Sequence, residues 1–564
     1  MSPPDLSPSG PSSPGPSSSG PQSAAPASLP DPDLDLAAKA VGLARTVVDD
    51  TAKRLASTGG DIDANQVLAY DLAHASSAVR IAEHAIGYGA AGKTEASIAC
   101  AFVADMMSEL GARTIGRSTD WGVESDWMEP ASGFVSLWRA PSVVASLADA
   151  EGDRNLGPDF ELVRETFRRF ASEEIRPHAE HVHRTNGDIP EEIISGLGEM
   201  GGFGMSVPEE YGGYASGGES DYLGMVITTE ELSWGSLGIG GSLITRPEIL
   251  SRALVHGGTE EQKQTWLPRL ASGEIMAAVA VTEPDFGSDV ANIVTAATPT
   301  EGGWLINGVK TWCTFAARAD VLMLLARTDP DRTKSHRGLS LFVVPKERAD
   351  GKGFVLTQSG AGSTSGGVAG RIEGRPIDTI GYRGMHSYEL AFENWFVDAD
   401  CLIGGSEGEG RGFYLQMQGF ENGRLQTAAR ALGVMQAAYE AARAYASERV
   451  VFGKPIADYQ LTQAKLGRMA FMIQATRQFT YEVSKMMANN SGSLEASMVK
   501  AYVCRAAEWV TREAMQIHGG MGYAEEFAVS RYFVDARVLS IFEGADETLA
   551  LKVIARRLVE QAKS

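Results

Sequence analysis

Near the carboxyl end, Ser540-Ile541-Phe542-Glu543-Gly544-Ala545-Asp546-Glu547 sets a carboxylate between an aromatic ring and a glycine. A carboxylate in an apolar pocket has a poorly solvated anion, so its pKa rises toward neutral. Such a group can remove a weakly acidic carbon-bound proton. The glycine lets another molecule approach the backbone closely. The same residues also suit an acidic turn that caps a helix. Three distant segments bear on the choice: Val281-Thr282-Glu283-Pro284-Asp285-Phe286-Gly287-Ser288-Asp289-Val290, Asn307-Gly308-Val309-Lys310-Thr311-Trp312-Cys313-Thr314 and Gln516-Ile517-His518-Gly519-Gly520-Met521-Gly522-Tyr523.

With Phe542-Glu543-Gly544, these segments resemble the acyl-CoA dehydrogenases in order and spacing, from about Asp159 to the carboxyl terminus. The resemblance implies α,β-dehydrogenation of a CoA thioester with FAD as cofactor. Removing the α-proton of a thioester is unfavourable unless hydride leaves the β-carbon in concert. That needs an electron sink, and a flavin is the natural one.

By the same resemblance Glu543 is the base. Phe420-Glu421-Asn422-Gly423-Arg424 matches a family segment with a CoA-proximal acid and a structural arginine. Some relatives carry the base just before that arginine, where this chain has Gly423. Phe420, Glu421, Arg424, Ser288 and Gly544 are the expected acyl-CoA contacts. Val281, Thr282, Gly287 and Ser288 match the stretch that meets the flavin's pyrimidine edge and pyrophosphate. Trp312 matches a residue that packs on the flavin, and Thr314 one that bonds near its reactive nitrogen. Arg449, Phe452, Gln460, Gln516, Gly519 and Gly520 resemble a site that reaches the flavin of a neighbouring subunit. Arginine suits a diphosphate because its rigid fork pairs with phosphate oxygens. The chain departs from the commoner pattern at Phe542, at Ala545 and at Val534-Asp535.

The long amino-terminal extension, the Gly/Ser run at 359–370 and Arg383-Gly384-Met385-His386-Ser387-Tyr388 resemble family members whose acyl group is short, branched and ends in a carboxylate, as in (2S)-methylsuccinyl-CoA. A buried carboxylate needs a cation. Arg246, in Thr245-Arg246-Pro247-Glu248, is the candidate; pairing with Glu248 or Glu230 at a surface is the competing expectation. Electron-transfer flavoprotein is the expected acceptor. Glutaryl-CoA or a 2-methyl-branched acyl-CoA remains open as substrate, and so does an oxidase, a flavin monooxygenase or a non-catalytic relative on the same scaffold.

Composition bounds the rest. The chain has 564 residues and a net charge of −22, which argues against nucleic acid as a partner. Cys100, Cys313, Cys401 and Cys504 are scattered without metal-ligand spacing. No metal is expected, and a reduced, cytoplasmic protein is. No apolar run reaches the length of a membrane span.

The elements that must position these residues read as an α+β chain with the acyl-CoA dehydrogenase fold. A Pro/Ser/Gly-rich tail at 1–33 should be disordered. A helical extension and connector follow at 34–157, an N-terminal helical domain at 158–275, a middle β-domain at 276–405 and a C-terminal four-helix bundle at 406–564. Strands are expected at 276–281, 304–306, 321–326, 339–344 and 388–392, and bundle helices near 412–449, 458–489, 494–519 and 528–561. Glu95-Ala96-Ser97-Ile98 aligns with Glu495-Ala496-Ser497-Met498, and Gln66–Leu72 with Gln460–Leu466. The extension therefore reads as a degraded copy of two bundle helices. It should lie on the bundle, away from the flavin, and cover a surface through which relatives form tetramers, leaving a homodimer.

Overall fold

The computed structural model describes residues 29–349, 352–358 and 369–563. The expected tail up to residue 28 and the Gly/Ser run at 359–368 lie outside the described residues.

The extension opens with three long helices, α1 (Leu34–Ser57), α2 (Gln66–Gly89) and α3 (Lys93–Thr114). Asp33 caps α1 by accepting a hydrogen bond from the Leu36 amide at 2.9 Å, which satisfies one of the free donors of a helix start. Ala37, Ala40, Val41, Ala44, Val47 and Val48 are buried along it, the apolar stripe that a surface helix turns to a core. Short helices α4 (Ser118–Trp121), α5 (Ser132–Trp138) and α6 (Pro141–Ser146) follow. Trp121 and Trp138 are fully buried there.

Next come α7 (Pro158–Phe170), α8 (Arg176–Thr185), α9 (Glu191–Glu199), α10 (Glu219–Gly235), α11 (Thr245–Gly257) and α12 (Glu260–Ala271). The main sheet is built from β1 (Ala277–Ala280), β2 (Ala296–Thr300), β3 (Gly303–Thr314), β4 (Val321–Arg327), β5 (Leu339–Pro345), β6 (Phe354–Gln358), β7 (Gly370–Ile377) and β8 (Ser387–Asp398). Their order is β1-β4-β2-β3-β8-β7-β6, with β5 also on β4. The expected strands are β1, β3, β4, β5 and β8. The strands β2, β6 and β7 were not expected. β2 and β7 contain proline, and β7 also has glycines and charges, so their propensity is poor; pairing with β3 and β8 overrides it. The β3–β8 register shifts between Lys310 and Cys313. Such a bulge re-aims a side chain, and here Trp312 sits at φ +57°.

The bundle holds α13 (Gly412–Glu448), α14 (Gln460–Ala488), α15 (Ser493–His518) and α16 (Ala528–Arg537). A small hairpin, β9 (Val450–Val451) and β10 (Lys454–Pro455), separates α13 from α14. The single helix expected over 528–561 is broken. After α16 the chain turns, then runs through α17 (Asp546–Thr548), a π-helical stretch Leu549–Ala555 and α18 (Arg556–Lys563). Glu543 at φ +53° and Gly544 at φ +98° have left-handed backbone that a right-handed helix excludes.

The extension packs on this bundle: α1 against α18, α2 against α14, α15 and the π-helical stretch, α3 against α14. The aligned residues fall at matching places. Gln66 and Gln460 open α2 and α14, and Glu95 and Glu495 lie in the first turns of α3 and α15. No helix among the described residues is long and apolar enough to cross a membrane.

Candidate active site

The broken turn aims Glu543 at α13. Thr427 donates to Oε2 at 2.8 Å, and Arg430 Nη1 donates to Oε1 at 3.1 Å. Both lie on α13 one turn apart, the spacing at which two side chains share a face. A Cβ on Gly423 would stand 2.8 Å from Oε2. A side chain at position 423 would therefore enter the space that this carboxylate fills.

Arg430 is wholly buried. It also donates to the Gly241 carbonyl at 2.8 Å and to the Thr245 hydroxyl at 2.5 Å, and its guanidinium lies 5.3 Å from the Phe542 ring centre. Neither Arg430 nor Thr427 was expected at the site. The signal was available: one charge in the run Ala428-Ala429-Arg430-Ala431-Leu432 must find a buried partner or stay out of the core.

The expectation of an apolar pocket and a raised pKa fails. Burial alone would push the Glu543 carboxyl up. Arg430, and after it Arg246, outweigh burial and hold it below the usual carboxylate value. Glu543 is thus anionic at neutral pH.

Arg246 Nη1 lies 3.4 Å from Glu543 Oε1. The competing partners are engaged elsewhere: Glu248 pairs with Arg252, and Glu230 with Arg154 and Arg477. Arg246 Nε is buried and has no hydrogen-bond partner among the described residues. Beside it, Tyr382 packs edge-on against Phe542 with ring centres 5.5 Å apart, and its buried hydroxyl is also unpartnered. The pocket therefore combines an anionic carboxylate with buried donors unsatisfied among the described residues, which are costly unless a ligand uses them.

The first two motifs meet next to it. The Thr311 amide donates to the Thr282 carbonyl at 2.8 Å. Glu283 and Lys310, which carried no expected role, form a buried brace: Lys310 Nζ donates to Glu283 Oε1 and to the Val281 carbonyl, both at 2.9 Å. Glu283 also accepts from the amides of Val294 and Thr295 at 2.7 and 2.8 Å. Ser288 Oγ lies 3.0 Å from Thr548 Oγ1, just past the base turn. Thr314 Oγ1 lies 3.0 Å from Ser387 Oγ. Trp312 is 55% exposed rather than core.

On α13 upstream of Gly423, Glu421 accepts from the Ser493 hydroxyl at 2.7 Å. Arg424 is buried and donates to the Ser497 hydroxyl at 3.3 Å. Phe420 packs beside the cluster that holds Ile249 and Leu415.

Arg449, Phe452, Gln460, Gln516, Gly519 and Gly520 are all exposed, Phe452 at 95%. Arg449 follows the end of α13, and Arg430 lies 19 residues earlier. At 1.5 Å per residue that is about 30 Å. One chain does not bring this group to Glu543.

The residues present fit a flavin dinucleotide. A Cβ built on Gly287, Gly519 or Gly520 meets no atom within 4 Å, so backbone is open to a ligand at each. The exposed Trp312 ring offers an aromatic face beside the Thr282–Thr311 junction.

Three family models match the chain: the acyl-CoA dehydrogenase N-terminal domain over residues 157–274, the middle domain over 278–395 and the C-terminal domain over 410–559. The (2S)-methylsuccinyl-CoA dehydrogenase of Cereibacter sphaeroides is 44% identical over 410 residues, covering 72% of this chain and 71% of that one. The structure of a glutaryl-coenzyme A dehydrogenase in complex with glutaryl-CoA superposes with a TM-score of 0.65 at 30% identity, over 73% of this chain and 97% of that chain. A glutaryl-CoA dehydrogenase of Mycobacterium smegmatis in complex with FADH2 superposes with a TM-score of 0.62 at 26% identity, over 72% and 97%.

Proposed function

The chain belongs to the acyl-CoA dehydrogenase family, oxidoreductases that act on a CH–CH bond of acyl-CoA, and we propose that its substrate is a short branched dicarboxylic acyl-CoA, (2S)-methylsuccinyl-CoA, oxidised to mesaconyl-CoA. The observation that carries this reading is Arg246 beside Glu543, with one buried guanidinium donor unpartnered among the described residues.

In this reading Glu543 removes the α-proton onto its carboxylate while the bond to the β-hydrogen breaks and the C=C bond forms. FAD, held by Val281, Thr282, Gly287, Ser288, Trp312 and Thr314, supplies the acceptor for the β-hydride. Thr427 and Arg430 keep the carboxylate anionic and aimed. Arg246 receives the distal carboxylate of the acyl group, which satisfies its free donor and loosens its hold on Glu543. Phe420, Glu421, Arg424, Ser288 and Gly544 border the CoA side.

The exposed group from Arg449 to Gly520 completes the flavin site of a second copy, so the assembly is at least a homodimer. The extension, docked on α14 and α15, covers the surface through which dimers would pair. Electron-transfer flavoprotein takes the electrons, a partner that the family resemblance supports. All four cysteines are free and buried, which suits a cytoplasmic protein.

The test is anaerobic bleaching of the flavin spectrum by a panel of esters. Methylsuccinyl-CoA should reduce the enzyme faster than glutaryl-CoA or 2-methylbutyryl-CoA. Glutaryl-CoA is the second reading, favoured by the glutaryl-CoA complex among the structural neighbours. Preference for the neutral branched ester would remove both dicarboxylate readings.

A further inference from the structure

The turn that carries Glu543 is held from two sides, and one side is the extension. From the bundle, Lys500 Nζ donates to the Gly544 carbonyl at 2.6 Å. From the extension, Tyr70 Oη donates to Asp546 Oδ2 at 2.5 Å, and His74 Nε2 lies 3.2 Å from the same oxygen. Tyr70 and His74 are four residues apart on α2 and so share a face. Their rings stand edge to face with centres 4.6 Å apart. His74 is 3% exposed and burial holds its pKa below the usual value, so the neutral ring donates through Nε2–H.

An aspartate at the start of a helix is commonly a stabilising anion there. That role needs nothing from the extension. Here Asp546 Oδ2 is taken by two side chains that come from more than four hundred residues away, and Oδ1 is buried without a partner among the described residues. Only Gly544 and Ala545 separate Asp546 from Glu543. Glu543 holds φ +53°, a conformation that a non-glycine residue keeps only where its surroundings over-determine it. The anchors at Gly544 and Asp546 supply that determination.

We propose that the amino-terminal extension is a working part of the active centre, in which Tyr70 and His74 are positioning residues that hold Asp546 and thereby aim the carboxylate of Glu543. The extension was expected on the bundle, away from the flavin, and its α2 also reaches the turn that carries Glu543. It rests on the reading of Glu543 as the base. Tyr70 and His74 lie before residue 157, where the first family match begins, so the chain adds these anchors to the family's own three domains.

The test compares FAD-loaded Tyr70→Phe/His74→Phe, Tyr70→Phe alone and Tyr70→Phe/His74→Gln with the parent enzyme under anaerobic mixing with saturating methylsuccinyl-CoA. Both phenylalanines keep the ring and remove the donor; glutamine returns an N–H. Misplacing a reacting group by about an ångström costs on the order of tenfold to a hundredfold in rate. A loss of that size is expected for the double phenylalanine variant, with FAD content and acyl-CoA affinity unchanged, an increased α-deuterium isotope effect on bleaching, and partial recovery with glutamine. Parental rate and isotope effect in the folded double variant would overturn the proposal. Should that variant not fold, Tyr70→Phe, one hydroxyl lighter, carries the same reading and the same overturning result. Glu543→Gln run in parallel separates the failures. If it bleaches normally, the base reading falls; if it is silent while the Tyr70 and His74 variants run at full speed, only this proposal falls.

Discussion

Arg246 Nη1 stands 3.4 Å from Glu543 Oε1, although the two residues are 297 positions apart in the chain. A cation this close to a carboxylate lowers its basicity. In the proposed reading, an acyl chain that ends in a carboxylate offers Arg246 another anion, so substrate binding would free the base. A neutral acyl chain does not. In that reading the pair would link specificity to catalysis through one guanidinium.

Arg246→Ala is expected to weaken methylsuccinyl-CoA far more than a neutral branched ester of similar size. Losing one partner of a buried charge pair costs about 2–5 kcal/mol. Binding of the two esters to the FAD-loaded variant, followed by flavin perturbation, checks this; an equal loss for both would make Arg246 structural.

With Glu543 as the proposed base, its depressed pKa would set the pH profile. The group needs no proton loss to act at neutral pH, so kcat/KM should show no ionisation of the base from about pH 8 down toward its ordinary value of 4.5. The ion pairs stabilise the fold fully above the unfolded carboxyl pKa and lose that contribution as pH falls through the lower folded one. An acid limb near neutrality would restore the apolar-pocket reading.

Much of this was legible in the sequence, for identifiable reasons. Glu543-Gly544 alone also suited an acidic helix-capping turn, and it stood out through its order and spacing with the three distant segments. Trp312 stood out through its motif, although the bulge that turns it outward has no local mark. The break in the last helix was missed because the turn at Glu543 is tied to residues far away in sequence, Lys500 at Gly544 and Tyr70 and His74 at Asp546. The sign of the Glu543 shift was wrong for the same reason: the neighbouring phenylalanine was visible and the distant arginines were not.

Lys310→Met should strand Glu283 as an unpaired buried anion. Breaking a buried pair from one side commonly costs about 3–5 kcal/mol. Denaturant unfolding should report a loss of that order, together with lower flavin content, because the brace joins the Thr282 and Thr311 segments. Stability and flavin content unaffected would mean the brace carries no load.

Under the proposed dimer, Arg449→Ala lowers both flavin occupancy and subunit association, since the same exposed group serves a second copy. Absorbance ratio and light scattering read the two together. A stable monomer with full FAD would contradict the shared site.

The central claim is that Glu543 removes the α-proton of the acyl-CoA. Stopped-flow reduction of FAD-loaded Glu543→Gln by methylsuccinyl-CoA, without oxygen, tests it most directly. Removing a general base costs at least about a hundredfold in rate. The expected result is loss of flavin bleaching by that factor or more, with FAD content and acyl-CoA binding retained; near-parental bleaching in this variant would contradict the claim.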